Sequence, residues 1–117
     1  MIKGIGIDIV DNRRVASILE KWGDKFLKRV FGEEELKFIE LSGRKVEIVA
    51  SRWALKEAVV KATGFTEKRK IEIAGKGKDL RIKIEGFEGS FLCSISHERN
   101  YSMAFVIWIW NNLSPGT

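Results

Sequence analysis

Two carboxylates stand where a carboxylate is hard to accommodate. Asp8 falls in Gly4-Ile5-Gly6-Ile7-Asp8-Ile9-Val10, an alternation that sends Ile5, Ile7 and Ile9 to one side of a strand and Gly4, Gly6 and Asp8 to the other. Two glycines clear that side of bulk, so a ligand could approach the backbone beside Asp8. Glu57 interrupts the apolar stripe Val46, Val49, Ala50, Trp53, Ala54 and Val60 of a helix predicted over 44–63, and Lys61 shares its face. Burying a lone carboxylate there is costly unless it is paired, hydrogen-bonded or bound to a cation. If the stripe packs on the first strand, the two carboxylates converge. Two carboxylates completed by water and phosphate oxygens are the usual protein share of a Mg²⁺ site. In the plainer alternative, Asp8 caps a local turn and Glu57 pairs with Lys61 one helical turn away.

Other side chains could serve such a site. His97 is the one histidine of the chain and follows Ser94-Ile95-Ser96 at a strand end, from which it could hold a phosphate or move a proton. A lone loop histidine is more often surface filler. Arg52, Lys56 and Lys61 lie on the long helix; a lysine beside an acidic pair can balance a metal site or protonate a leaving phosphate, or simply pair with Glu57. Lys68, Arg69 and Lys70 read as a solvated basic cluster. Arg13, Arg14, Lys21, Lys25, Lys28 and Arg29 place six positive charges in seventeen residues against Glu20 and Asp24. That stripe suits an acidic protein surface or the phosphates of a nucleic acid equally well.

These residues need elements to hold them. Met1 to Val10 alternates as a strand, and Asp11 or Asn12 can cap a helix carrying Val15, Ile18, Leu19 and Trp22. Gly23 stops it, a short apolar segment runs through Phe26, Val30 and Phe31, and Glu33-Glu34-Glu35 favours a helix start through the dipole. Gly32 is a weaker cap there than a hydroxyl residue. The 44–63 helix carries a second apolar stripe, Ile48, Leu55, Val59 and Ala62, so it is central, with elements on both flanks. Strands follow at 70–74, 80–85, 90–96 and 101–110, the last apolar on both faces, as suits a central strand or a subunit interface. The predicted fold class is α+β: an N-terminal strand, a helical segment with a long central helix, then an antiparallel strand meander.

The 117 residues make one domain, taken as 1–110 with a C-terminal tail from Asn111 to Thr117. A net charge of +5 favours a polyanionic partner. One cysteine forms no internal disulfide, no Cys/His cluster has zinc spacing, and no apolar run is long enough to span a membrane. A soluble, cytoplasmic protein with no membrane partner is expected.

Four short segments add a resemblance. Gly4-Ile5-Gly6-Ile7-Asp8-Ile9-Val10 followed by Arg13-Arg14, then Arg29-Val30-Phe31-Gly32-Glu33-Glu34-Glu35, then Arg52-Trp53-Ala54-Leu55-Lys56-Glu57-Ala58 with Lys61-Ala62, and Ser94-Ile95-Ser96-His97 with Tyr101 resemble the motifs of the holo-[acyl-carrier-protein] synthase branch of the 4'-phosphopantetheinyl transferases, in that family's order. The resemblance implies Mg²⁺-dependent transfer of 4'-phosphopantetheine from coenzyme A to a serine of apo-acyl carrier protein, in support of fatty acid biosynthesis. By matched position, Asp8 and Glu57 would hold the metal, and Lys61 would contact the reacting phosphate. His97 would hold coenzyme A phosphates, and Arg52 would help bind the nucleotide part. Arg14, with Arg13, Lys21, Lys25 and Lys28, would meet the carrier protein. The family implies a homotrimer with sites at subunit interfaces, so that His97 would act on a neighbour's site.

Two departures stand out. The family's glycine-rich stretch after the Lys-Ala pair is reduced to Thr63-Gly64-Phe65, and Gly75-Lys76-Gly77-Lys78 stands where a Gly-Lys-Pro turn is expected. The competing readings are a small basic nucleic-acid-binding α+β domain and an inactive relative that only binds carrier protein. The first leaves Asp8 and Glu57 unexplained, because carboxylates repel phosphates unless a metal intervenes; no nucleic-acid partner is expected.

Overall fold

The N-terminal alternation forms β1 (Ile2–Asp11), and Asp11 caps α1 (Asn12–Trp22), its carboxylate accepting the Arg13 backbone N–H at 2.9 Å. Asn12, the other capping candidate, does something else. Its amide donates to the carbonyls of Glu98 and Arg99, and its oxygen accepts the Ser102 hydroxyl at 2.8 Å, fastening the helix start to the loop between the last two strands. The short apolar segment after Gly23 is a helix, α2 (Asp24–Val30). α3 (Glu33–Leu41) begins on its three carboxylates, with Gly32 offering no side-chain cap. The central helix is α4 (Lys45–Thr63); it stops at Gly64, whose φ of 80° is strained for any residue with a Cβ. These coordinates, a computed structural model, describe residues 1–110, so the expected tail Asn111 to Thr117 lies outside the described residues.

The strands β2 (Ile71–Ala74), β3 (Arg81–Ile84), β4 (Ser90–His97) and β5 (Tyr101–Ile109) lie within two residues of their predicted bounds. All pairing is antiparallel, but the meander divides. β2 and β3 make a sheet of their own, while β1, β5 and β4 make a second in that order, with β5 in the middle. Asp8 lies opposite Ala104 and His97 opposite Ser102.

α4 lies across one face of the three-stranded sheet. A Cβ on Gly4 would strike the Ala62 carbonyl and one on Gly6 the Ala58 carbonyl. The glycine-cleared side of β1 therefore receives a helix backbone, not a ligand as expected, because a helix that presents alanines can come that close. Both stripes of α4 are buried: Val49, Ala50, Ala54, Leu55, Ala58 and Val59 have no exposure, and they share the core with Val15, Phe31, Ile71 and Val106. β1 and β5 flank the helix on one side, α1 and α3 on another. The opposite face of the sheet is bare. Ile5, Ile7 and Ile9 are 59%, 54% and 59% exposed, and Leu92, Met103 and Phe105 stand exposed on the neighbouring strands.

Candidate active site

Docking α4 on β1 brings the two predicted carboxylates together. Asp8 and Glu57 line one pocket of about 460 Å³ with Asp11, Arg14, Trp53 and Tyr101. Asp8 Oδ1 accepts the Lys61 ammonium at 3.0 Å, and that ammonium also donates to the Ile7 carbonyl. Glu57 Oε1 accepts the Trp53 indole N–H at 3.1 Å and pairs with Lys68 Nζ at 2.7 Å. The Glu57–Lys61 pair and the Asp8 turn cap, the plainer alternatives, are thus both absent. Lys61 reaches across to β1, Asp11 does the capping, and a loop lysine takes Glu57.

The pocket suits a hard divalent cation. Asp8 Oδ2 and Glu57 Oε2 take no protein donor among the described residues. Two lysines currently supply the positive charge that two neighbouring carboxylates require. Among the described residues no three or more His, Cys, Asp or Glu side chains form a metal cluster. A two-carboxylate share fits Mg²⁺, which keeps waters and takes substrate phosphates for the rest of its octahedron.

The basic stripe is not uniform. Arg13 is spoken for: its Nε and Nη2 each lie 2.9 Å from an Asp11 oxygen, and Nη2 also donates to the Tyr101 hydroxyl. The guanidinium in turn holds the Asp11 carboxyl below its ordinary range. Arg14 has no such partner among the described residues and stands over the Trp53 ring, 6.0 Å from its centroid, on the rim of the carboxylate pocket. Lys25 and Lys28 line an open groove with Trp22, Phe26 and Arg29, and Lys21 lies over the Trp22 ring. Phe26 meets Trp53 edge-on at 4.9 Å, so one aromatic wall divides groove from pocket.

Arg52 and His97 belong to a different cleft, of about 580 Å³, with Arg44, Ser51, Lys76 and Lys78. Arg52 is nearly buried. It donates to the carbonyls of Ile73 at 3.0 Å and Gly75 at 2.9 Å and lies over the Phe38 ring. Burial pulls its pKa down, against the attraction of Glu35. Its role within this chain is to brace the wall that carries Lys76 and Lys78. Within one chain the structure does not bring His97 to the Asp8–Glu57 pocket.

Residues 4–106 match the model of the 4'-phosphopantetheinyl transferase superfamily. The chain belongs to this superfamily. It is 42% identical over 112 residues to the holo-[acyl-carrier-protein] synthase of Thermodesulfovibrio yellowstonii, covering 92% of this chain and 98% of that protein. To the synthase of Aquifex aeolicus it is 40% identical over 113 residues, covering 86% and 93%. Its fold is similar to a crystal structure of a holo-(acyl-carrier-protein) synthase from Bacillus anthracis in complex with CoA (3',5'-ADP), with TM-score 0.83, 32% identity and coverage of 95% and 99%. The synthase structure from Neisseria meningitidis gives TM-score 0.84 at 29% identity, covering 92% and 98%. The α+β expectation and the family resemblance are both borne out.

This transferase also gives several of its basic residues roles that their positions in the sequence do not show. Lys56, beside Glu57, has no exposure at all; its ammonium donates to the carbonyls of Val30 at 2.8 Å and Lys68 at 2.9 Å and to Glu35 Oε1 at 2.9 Å. Burial draws the Lys56 pKa down and the Glu35 pKa up, and each partner's charge opposes the other's shift. A signal existed: on the helical wheel Lys56 falls between Val49 of one apolar stripe and Val59 of the other, and all three are buried. The cluster read as solvated is engaged as well, since Lys68 holds Glu57 and Arg69 Nε donates to the Phe31 carbonyl at 3.1 Å. Arg29 of the basic stripe joins Lys25 and Lys28 in the aromatic groove.

Proposed function

We propose that this transferase moves the 4'-phosphopantetheine arm of coenzyme A onto a serine hydroxyl of an apo-acyl carrier protein, in the cytoplasm and in support of fatty acid biosynthesis. The new bond joins the serine oxygen to the phosphorus of the arm. The bond from that phosphorus to the bridging oxygen of the diphosphate breaks, adenosine 3',5'-bisphosphate leaves, and the serine proton passes to water or a pocket carboxylate. The observation that carries this reading is the placing of Asp8 and Glu57 on one pocket wall with Arg14 at the rim and Lys61 on Asp8.

Phosphoryl-group transfer rests mainly on positioning and charge neutralisation. Asp8 and Glu57 would hold a Mg²⁺ ion, which supplies positive charge to the diphosphate when bound. Lys61 adds a mobile ammonium for the reacting phosphate, since half of its side chain is exposed and its stem is anchored on α4. Arg52 braces the wall of the cleft proposed for the nucleotide part, where Lys76, Lys78 and His97 offer phosphate contacts. Arg14, with the lysines and Arg29 of the neighbouring groove, would receive the acidic surface of the carrier protein and guide its serine past Trp53.

The bare sheet face supports a homotrimer. Ile5, Ile7, Ile9, Leu92, Met103 and Phe105 form a contiguous exposed apolar surface, which a soluble protein normally covers. Association there would complete a site between subunits, with the cleft of one chain, including His97, set beside the carboxylate pocket of the next.

The test is a mass measurement. Purified protein with Mg²⁺, coenzyme A and apo-carrier protein is expected to yield a carrier heavier by one phosphopantetheine arm, dependent on the divalent ion. A folded protein that leaves several carrier proteins unmodified would exclude catalysis. Sedimentation of the wild type and of Phe105→Arg tests the trimer: a monomeric wild type removes it from the reading.

A further inference from the structure

Resting on the reading of Asp8 and Glu57 as cation ligands, we propose that Lys68 is a built-in competitor for the divalent ion at Glu57, so that this one loop side chain sets how tightly the pocket binds metal. Lys68 Nζ lies 2.7 Å from Glu57 Oε1, the shortest ion pair among the described residues. Both side chains are about two-thirds to three-quarters buried, at 32% and 26% exposure, so solvent screens the pair less than it screens an open surface pair.

The backbone of Lys68 is pinned. It begins the one-turn helix Lys68–Lys70, its N–H donates to the Thr66 carbonyl, and its own carbonyl accepts the fully buried Lys56 ammonium at 2.9 Å. Lys56 is anchored in turn on Val30 and Glu35. The Lys68 ammonium is therefore delivered to Glu57 from a fixed post, and the usual entropic cost of aligning two long side chains is reduced.

Oε1 carries the Trp53 indole N–H as well as the ammonium, so a cation taking this oxygen must displace Lys68. A cation taking only Oε2 would still face a like charge across the same carboxylate. Either way Lys68 weakens binding. Lys61 differs: its Asp8 contact is made from α4 itself and is shared with the Ile7 carbonyl, an acceptor that remains if Asp8 is claimed by a metal.

The probe is Mn²⁺ alone, titrated into the full chain without coenzyme A or carrier protein and followed by the paramagnetic resonance of the free ion. Lys68→Met keeps the aliphatic stem and the carbonyl that Lys56 holds; it is expected to bind Mn²⁺ about five- to tenfold tighter than wild type. Lys68→Arg keeps the charge and is expected to stay within about twofold of wild type. Should Lys68→Met prove poorly folded on thermal melting, Lys68→Gln takes its place with the same expected gain. Equal or weaker Mn²⁺ binding in the neutral variants, with binding still lost in Glu57→Gln, overturns the competitor role and leaves the site reading intact. Unchanged Mn²⁺ binding in both Glu57→Gln and Asp8→Asn overturns the two together.

Discussion

Lys56 and Glu57 are neighbours in sequence on one helix, each is paired with an opposite charge, and their surroundings could hardly differ more. Lys56 turns into the core, meets Glu35 and two carbonyls, and has no exposure. Glu57 turns to an open pocket and holds a partly exposed lysine through one oxygen. The dry pair is saturated on its nitrogen side, so there is no room for exchange; its product is rigidity, tying α2, α3 and the 68–70 turn to α4. Each pair keeps a carboxylate oxygen without a protein donor among the described residues, Glu35 Oε2 in the dry one, but the wet pair alone has a counter-ion that can leave. A buried ammonium with all its donors placed reads as structure, and a carboxylate with an exchangeable partner at an open pocket reads as chemistry.

Substitutions at the two positions should separate these roles. Glu57→Gln is expected to lower the rate of carrier modification by about ten-thousandfold while the melting temperature stays within a few degrees, because the proposed metal ligand and no core contact is lost. A variant that loses stability in proportion to activity would erase the contrast. Lys56→Met should behave in the reverse sense, lowering unfolding free energy by about 3–5 kcal/mol in denaturant titrations, since it strands Glu35 in the core. Adding Glu35→Leu to it is expected to restore part of that loss; no recovery would mean that the damage arises from the two carbonyls and not from the stranded charge.

The same contrast recurs between adjacent arginines, with a smaller effect. Arg13 is held by Asp11 and Tyr101, whereas the Arg14 guanidinium has no hydrogen-bond acceptor among the described residues and stands over Trp53 at the pocket rim. Arg14→Glu should raise KM for the carrier protein about tenfold and leave KM for coenzyme A within about twofold, and Arg13→Glu should disturb α1 more than partner affinity. Equal increases for both substrates in Arg14→Glu would reject this division. An open surface pair sets the floor: Lys70 and Glu67 are 68% and 60% exposed at 3.3 Å, and Lys70→Ala is expected to shift unfolding free energy by no more than about 0.5 kcal/mol.

The reason some of this was legible lies in periodicity. Asp8 follows from a two-residue repeat and Glu57 from a helical one, and each repeat states a face, so their meeting needed only one packing assumption. Lys68 sits in 64–70, a stretch with no repeat, and nothing local says that its side chain returns to α4. Gly4 and Gly6 signal close approach by something, but a missing Cβ admits a ligand or a helix alike. Turn residues mark where strands end and not which strands pair, so the separate β2–β3 sheet was hidden. The burial of Lys56 is not legible in its residue type, because a lysine on a helix is expected to be wet unless a specific acceptor set is known.

The pairing of β1 with β5 has a consequence for the birth of the protein. Asp8 lies in β1, and the partner that holds it, β5, is made after all the other described elements between them. A nascent chain that stops before Tyr101 has no ladder on which to lay that strand, so catalytic competence is withheld until β5 has been made.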